Sequence, residues 1–297
     1  MAELKHEDWR GTTYGNNWMH KWLIRMLKVI DVRILYLFTY IFILPPTMLI
    51  NRKPRKAIYN FYREGFNFGK IRSAWMTIKN HCMFSQVVID KFAMYAGKKF
   101  DIEIIGYDNY LKLMEQPEGF IQVSSHIGNY EVAGYSLNAK NKRFNALVFG
   151  GEKESVMQNR QKMFEHRNIR MIPMNSDMEY LFKIDKALND GEIISMPADR
   201  IFGSQKSFSI NFLGHRARFP QGPFVLAAMK DVPVLFVVVM KTTAKKYKIY
   251  VEKIKQYGDK TSREKAKDIA EDYVARLQDK VKEYPAQWYN YFDFWKE

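Results

Sequence analysis

An α/β fold, with a mostly parallel central sheet flanked by helices behind an apolar, membrane-associating helical segment at the N-terminus, is what the sequence predicts. Three observations predict it. From Phe100 onward, short β-branched or apolar runs alternate with longer helical patterns, as βαβ units do. Between Ile34 and Ile50 lies a 17-residue stretch without a charge. And one strand-like run ends at Ser124-Ser125-His126 before Gly128-Asn129 turn it into a helix, the kind of strand exit where sites gather in parallel sheets. With 297 residues, 47 % of them hydrophobic, the chain divides into a basic, apolar region over 1–97 and an α/β catalytic domain over 98–297.

The first region carries most of the charge. Residues 1–100 hold 17 Lys and Arg against 6 Asp and Glu, so +11 of the formal +15 lies there. The same third is rich in Trp, Tyr, Phe, Leu and Ile, and a basic, aromatic, apolar segment suits an anionic membrane surface. No zinc-ligand spacing, heptad or aromatic RNA-binding signature points to nucleic acid instead. The one cysteine, Cys82, excludes an internal disulfide and fits a reducing compartment.

Residues 1–20, with Trp9 and Trp18, read as a loop without a signal-peptide layout. Lys21 to Lys28 alternates basic and apolar residues. Ile34 to Ile50 is interrupted by Pro45-Pro46, so an interfacial or half-inserted helix, a tilted spanning anchor and a buried helix are all open, with membrane association favoured. Arg52, Lys53, Arg55 and Lys56 would hold its far end at anionic headgroups. Residues 57–97 read as two helices with an aromatic stripe.

The catalytic region follows as strand Phe100–Ile104, helix Asn109–Gln116, the central strand, helix Glu131–Leu137, strand Asn145–Phe149 and helix Lys153–Arg167. Next come strand Ile169–Pro173, helix Met178–Leu188 and strand Glu192–Met196. Ser207–Phe212 alternates and turns through Gly214 into a basic segment. Phe224–Met229 is helical, Val232–Met240 a fully buried strand, Lys246–Ile254 an edge strand and Ser262–Glu283 an amphipathic helix.

His126 and Glu131 stand out as a catalytic pair. Five residues along one helix separate two side chains by roughly 140°, so they meet only if His126 lies in the loop and Glu131 in the first helical turn. Gly128 permits a positive φ and Asn129 is a preferred N-cap. A carboxylate on one imidazole nitrogen leaves the other to take a proton from a hydroxyl or amine. Asp199 and Arg200 follow the strand ending at Met196, at an exit where His126 can also lie. Arg216 and Arg218 precede Gly222-Pro223 at a helix start, a combination that binds anions; a structural ion pair and a solvated hairpin are the plainer alternatives.

Ser125-His126-Ile127-Gly128-Asn129-Tyr130-Glu131 resembles the His-x-x-x-x-acid block of the lysophospholipid acyltransferase superfamily, and most of all its late lipid A biosynthesis branch. Arg218-Phe219-Pro220-Gln221-Gly222-Pro223, Pro285-Ala286-Gln287-Trp288-Tyr289 and the apolar N-terminal segment extend the likeness over most of the chain. The resemblance implies a glycerolipid acyltransferase-like fold at the bacterial inner membrane, with the catalytic domain facing the cytoplasm. It implies transfer of a fatty acyl group from an acyl carrier protein or coenzyme A thioester to a hydroxyl or amine of an anionic membrane lipid, with no metal or resident cofactor. His126 would be the general base and Glu131 its partner, with Asn129, Asp199, Arg200, Arg216, Arg218 and Gly222 binding substrate. Where many lipid A enzymes carry Asp-x-Asp, this chain has Ala198-Asp199-Arg200, which leaves a lipid A precursor as one acceptor among other membrane lipids. A catalytically silent lipid-binding protein and an acyl thioesterase are the competing readings.

Overall fold

The computed structural model describes residues 17–137, 141–149, 157–158, 168–174, 179–201, 206–255 and 258–295. Most of the helix expected at Lys153–Arg167, and the chain before Asn17, lie outside them. The N-terminal part is helical: α1 (Asn17–Val29), α2 (Val32–Phe38), a π turn at Thr39–Ile43, α3 (Leu44–Ile50), α4 (Arg52–Glu64) and the long α5 (Lys70–Tyr95). Helix α1 thus begins inside the stretch read as loop.

Val32–Ile50 forms one 19-residue apolar helix, long enough by length and composition to cross a membrane. Pro45 and Pro46 sit in the first turn of α3. Neither can donate to a carbonyl one turn back, and the π turn directly upstream is the local rewinding that absorbs this loss without ending the helix. Ile34, Leu37, Phe38, Ile41, Phe42, Leu49 and Ile50 are exposed along it.

The α/β part runs β1 (Asp101–Ile105), α6 (Tyr107–Glu115), β2 (Phe120–Ser124), α7 (Tyr130–Ser136), β3 (Phe144–Phe149), β4 (Ile169–Met174), α8 (Glu179–Asn189) and β5 (Ile193–Pro197). It continues with β6 (Ser207–Phe212), β7 (His215–Pro220), α9 (Gly222–Lys230), β8 (Val234–Thr243), β9 (Lys246–Lys253) and α10 (Ser262–Glu283). Seven strands form one sheet in the order β1-β9-β8-β2-β5-β3-β4, and β6 and β7 pair as a separate hairpin. Every neighbouring pair in the large sheet is parallel except β8 with β9. Strand β9, expected at an edge, is interior: β1 adds along its outer side with Asp101 opposite Lys246 and Ile105 opposite Tyr250.

The sheet buries both faces. On β8, Val234, Phe236, Val238 and Met240 enter one core with α4, α9, α10 and the aromatic C-terminal segment. Leu235, Val237 and Val239 enter the other, against α6 and α7. That two-sided burial is why β8 reads as a continuous apolar run. Helix α5 is common to both halves of the molecule: Met76 lies in the first core and Met94 in the second, while Ile89, Phe92 and Ala93 pack with Leu27, Val32, Leu35 and Tyr36 of α1 and α2.

Candidate active site

Strand register builds the site. Parallel β2 and β5 are neighbours with Ser124 opposite Pro197, and the Ala198 amide donates to the Ser124 carbonyl at 3.0 Å. Continuing that register two residues past each strand brings His126 beside Asp199. The Asp199 carboxylate grips His126 twice, with Oδ1 2.8 Å from Nδ1 and Oδ2 accepting the His126 backbone N–H at 2.9 Å. Trp288 Nε1 adds a third bond to Oδ2 at 3.1 Å. Asp199 is fully buried, whereas the imidazole keeps 27 % of its surface exposed, and among the described residues nothing bonds Nε2.

This arrangement differs from the expected pairing. Glu131 does occupy the first turn of α7, yet its carboxylate faces α5, 2.9 Å from Lys91 Nζ and accepting from the Tyr95 hydroxyl at 3.2 Å. Two carboxylates lay within reach of the loop in sequence terms, and the β2–β5 register assigns the imidazole to the later one.

The loop between them is tightly held. Gly128 has φ +60, and a Cβ there would sit 1.8 Å from the Val239 carbonyl oxygen, so glycine is required for this close approach. Its N–H donates to the Gln287 carbonyl and that of Asn129 to the Val239 carbonyl, both at 2.8 Å, while the His126 carbonyl accepts from the Tyr289 N–H at 2.9 Å. The amides of Gly128 and Asn129 are therefore already committed and are not free to serve a developing oxyanion. Nor does the Asn129 side chain cap α7; its Nδ2 donates to the Tyr247 hydroxyl at 3.2 Å.

Electrostatics leave the histidine neutral and the aspartate charged. Burial pushes the His126 pKa below its ordinary value, with the Arg200 charge acting in the same direction and Asp199 opposing both. Burial alone would raise Asp199, but the charge and hydrogen bonds of His126, together with Arg200, bring it down to about 2. Arg200 donates through Nη2 to the Tyr289 carbonyl and its guanidinium lies 5.8 Å from the Phe292 ring centre.

Arg216 and Arg218 fall on the outward side of β7, alternating with buried Ala217 and Phe219, and Arg218 Nε donates to Ser207 Oγ at 3.0 Å. Gly222 opens α9 with empty space where a Cβ would point. These three belong to the hairpin and the helix after it, whereas Asp199 bonds His126 directly and the charge of Arg200 reaches it. Trp288 and Tyr289, which in sequence extended the family likeness, prove to be structural members of the site. The one sequence signal for them was the Pro285–Tyr289 string.

The fold thus seats the His126 imidazole on a buried carboxylate at the carboxyl ends of parallel strands, where sites gather in such sheets. Residues 81–297 match the family model described as bacterial lipid A biosynthesis acyltransferase; the chain belongs to this family and is an acyltransferase. Among solved structures, it is similar to the crystal structure of the 1-acyl-sn-glycerophosphate (LPA) acyltransferase PlsC from Thermotoga maritima. Identity is 15 %, the match covers 90 % of this chain and 96 % of that one, and the TM-score is 0.39. No curated protein matches the chain.

Proposed function

We propose that the protein transfers a fatty acyl group from an acyl carrier protein or coenzyme A thioester to a hydroxyl or amine of an anionic membrane lipid, a lipid A precursor being one option, with His126 as general base. The observation that carries this reading is the Asp199–His126 pair, 2.8 Å apart at Nδ1, in which the imidazole keeps part of its surface exposed and nothing among the described residues bonds Nε2. Nε2 takes the proton as the acceptor oxygen or nitrogen attacks the thioester carbonyl. The carbon–sulfur bond then breaks, and the imidazolium returns the proton to the departing thiolate. Asp199 fixes the tautomer and balances the transient positive charge, as the carboxylate of a serine hydrolase triad does, but here the substrate is the nucleophile.

Negative charge on the thioester oxygen needs a positive partner. Arg200, the cation whose field reaches His126, is assigned that part, with the outward Arg216 and Arg218 and the open start of α9 at Gly222 serving anionic groups of donor or acceptor. The apolar helix Val32–Ile50 supports delivery of a lipid acceptor at a membrane surface, which we take to be the inner membrane with the catalytic domain on its cytoplasmic side.

Mass spectrometry of total lipids from cells with the wild-type protein, with His126→Ala and without the gene tests this reading. A lipid gaining one acyl chain only with the wild type supports it and identifies acceptor and chain length. Free fatty acid released without an acylated lipid would instead make the protein a thioesterase, and three identical profiles would favour a silent lipid-binding role.

A further inference from the structure

The mechanism leaves unused a fully buried ion pair, Asp90 of α5 with Lys241 of β8. The Asp90 carboxylate also accepts from the hydroxyls of Tyr36 on α2 and Tyr247 on β9. Lys241 Nζ, besides Asp90, donates to the Tyr36 hydroxyl and the Ala244 carbonyl, each at 3.1 Å, and lies 3.4 Å from the Tyr247 hydroxyl. Four elements thus meet on two opposite charges that water does not reach.

Replacing such a pair with apolar side chains of similar size is often neutral or stabilising, so its presence invites a role in specifying geometry. The geometry here has a direction. The Tyr247 hydroxyl, fixed by Asp90, accepts from Asn129 Nδ2 at 3.2 Å, and Asn129 is the loop residue between His126 and α7. The next residue on α5, Lys91, and then Tyr95 hold Glu131. One end of α5 therefore grips the loop after His126 at two points, one through Tyr247 and one through Glu131.

We propose that Asp90, Lys241 and Tyr247 are positioning residues that hold the Ile127–Asn129 loop, and with it His126, in its working place. Asp90 and Lys241 fix the Tyr247 hydroxyl, and that hydroxyl fixes the Asn129 side chain. The Asn129 backbone can then keep its bond to Val239. The kinetic part of the test rests on His126 being the base; the structural part does not.

Tyr247→Phe is the sharpest variant, because it deletes the hydroxyl while leaving the Asp90–Lys241 and Asp90–Tyr36 contacts and the ring packing on Phe100 in place. Amide hydrogen exchange at Gly128 and Asn129 is expected to speed up by about tenfold or more while the centres of β2 and β5 keep wild-type protection. In acyl transfer kcat should fall by about tenfold with KM nearly unchanged. The double variant Asp90→Leu/Lys241→Met is expected to regain the thermal midpoint of the wild type but not its kcat. Unchanged exchange at the loop, wild-type kcat in Tyr247→Phe, or full recovery of kcat in the double variant would each overturn the proposal. If the wild-type protein acylates no acceptor, the catalytic reading falls, and exchange at the loop still decides whether the network positions it.

Discussion

Asp199 holds His126 while Glu131 faces Lys91, and substitution separates their parts. Asp199→Asn should lower kcat by at least about 100-fold, since the amide cannot balance imidazolium charge and must turn its NH2 toward one of the N–H donors that the carboxylate accepts. Glu131→Gln, which loses Lys91 but can still accept from Tyr95, should cost no more than about tenfold. Steady-state acyl transfer by the two variants checks the order, and a larger loss in Glu131→Gln would return the orienting role to that residue. Trp288→Phe keeps a ring among Phe61, Phe212 and Phe294, at 5.0, 5.2 and 4.9 Å between centres. It deletes the N–H that reaches Asp199, so thermal unfolding should show a loss of about 2 kcal/mol, the usual scale for a hydrogen bond to a buried charge. His126 and the turn at Gly128 were legible in sequence because they are local. Asp199 was singled out too, but for substrate: its partnership depends on strand order, and 73 residues separate it from His126. Trp288 lies 89 residues beyond Asp199 and no short-range pattern could join them.

Among the elements, strands and helices with strong periodicity were readable, and position within the sheet was not. The capping box of Thr261 and Glu264 starts α10 at Ser262, where the amphipathic pattern begins. The alternation of β9, by contrast, suggested a strand with one wet face at an edge. Lys246 does reach Asp101 and Glu103 on β1, and Lys248 reaches Glu103, so its polar residues serve a neighbouring strand and not open solvent alone. The paired prolines were expected to damage the apolar helix, but a π turn is a local remedy that composition does not announce. The exposed face of that helix makes its own prediction. Leu37→Lys with Ile41→Lys should move the protein from the membrane to the soluble fraction in vesicle flotation, because each charge costs about 2.5–3.5 kcal/mol near the centre of a bilayer. Retention on vesicles would mean that the basic stretch Arg52 to Lys56 or another surface does the anchoring.

For the molecule as a whole, protonation links activity to stability. In the proposed role His126 must be neutral, and its pKa is lowered from 6.5, so kcat/KM should stay flat through neutral pH and fall on an acid limb below pH 6.5. A limb centred above pH 7 in the pH–rate profile would contradict the burial of His126. Stability follows the same direction. Below pH 6.5 the unfolded chain takes up a proton on His126 that the folded one resists, so stability declines as pH falls. Asp199, at about 2 against 3.8 unfolded, contributes about 2 kcal/mol that is fully present above pH 3.8 and lost as pH falls towards 2. Thermal midpoints measured from pH 7 to pH 3 should therefore decrease throughout. The α/β class and the apolar segment were visible in composition and periodicity; the single body made by α5, which shares cores with the sheet and with α1 and α2, depends on contacts far apart in sequence. One of those distant contacts also sets an order of events in time. His126 leaves the ribosome well before the segment that closes its site, the strand bridge of Ile127 with Trp288 and the Tyr289 amide on the His126 carbonyl. At about 5–20 residues per second, on the order of 10–30 s of translation separate the two. The growing chain therefore carries His126 without its brace until Trp288 and Tyr289 emerge.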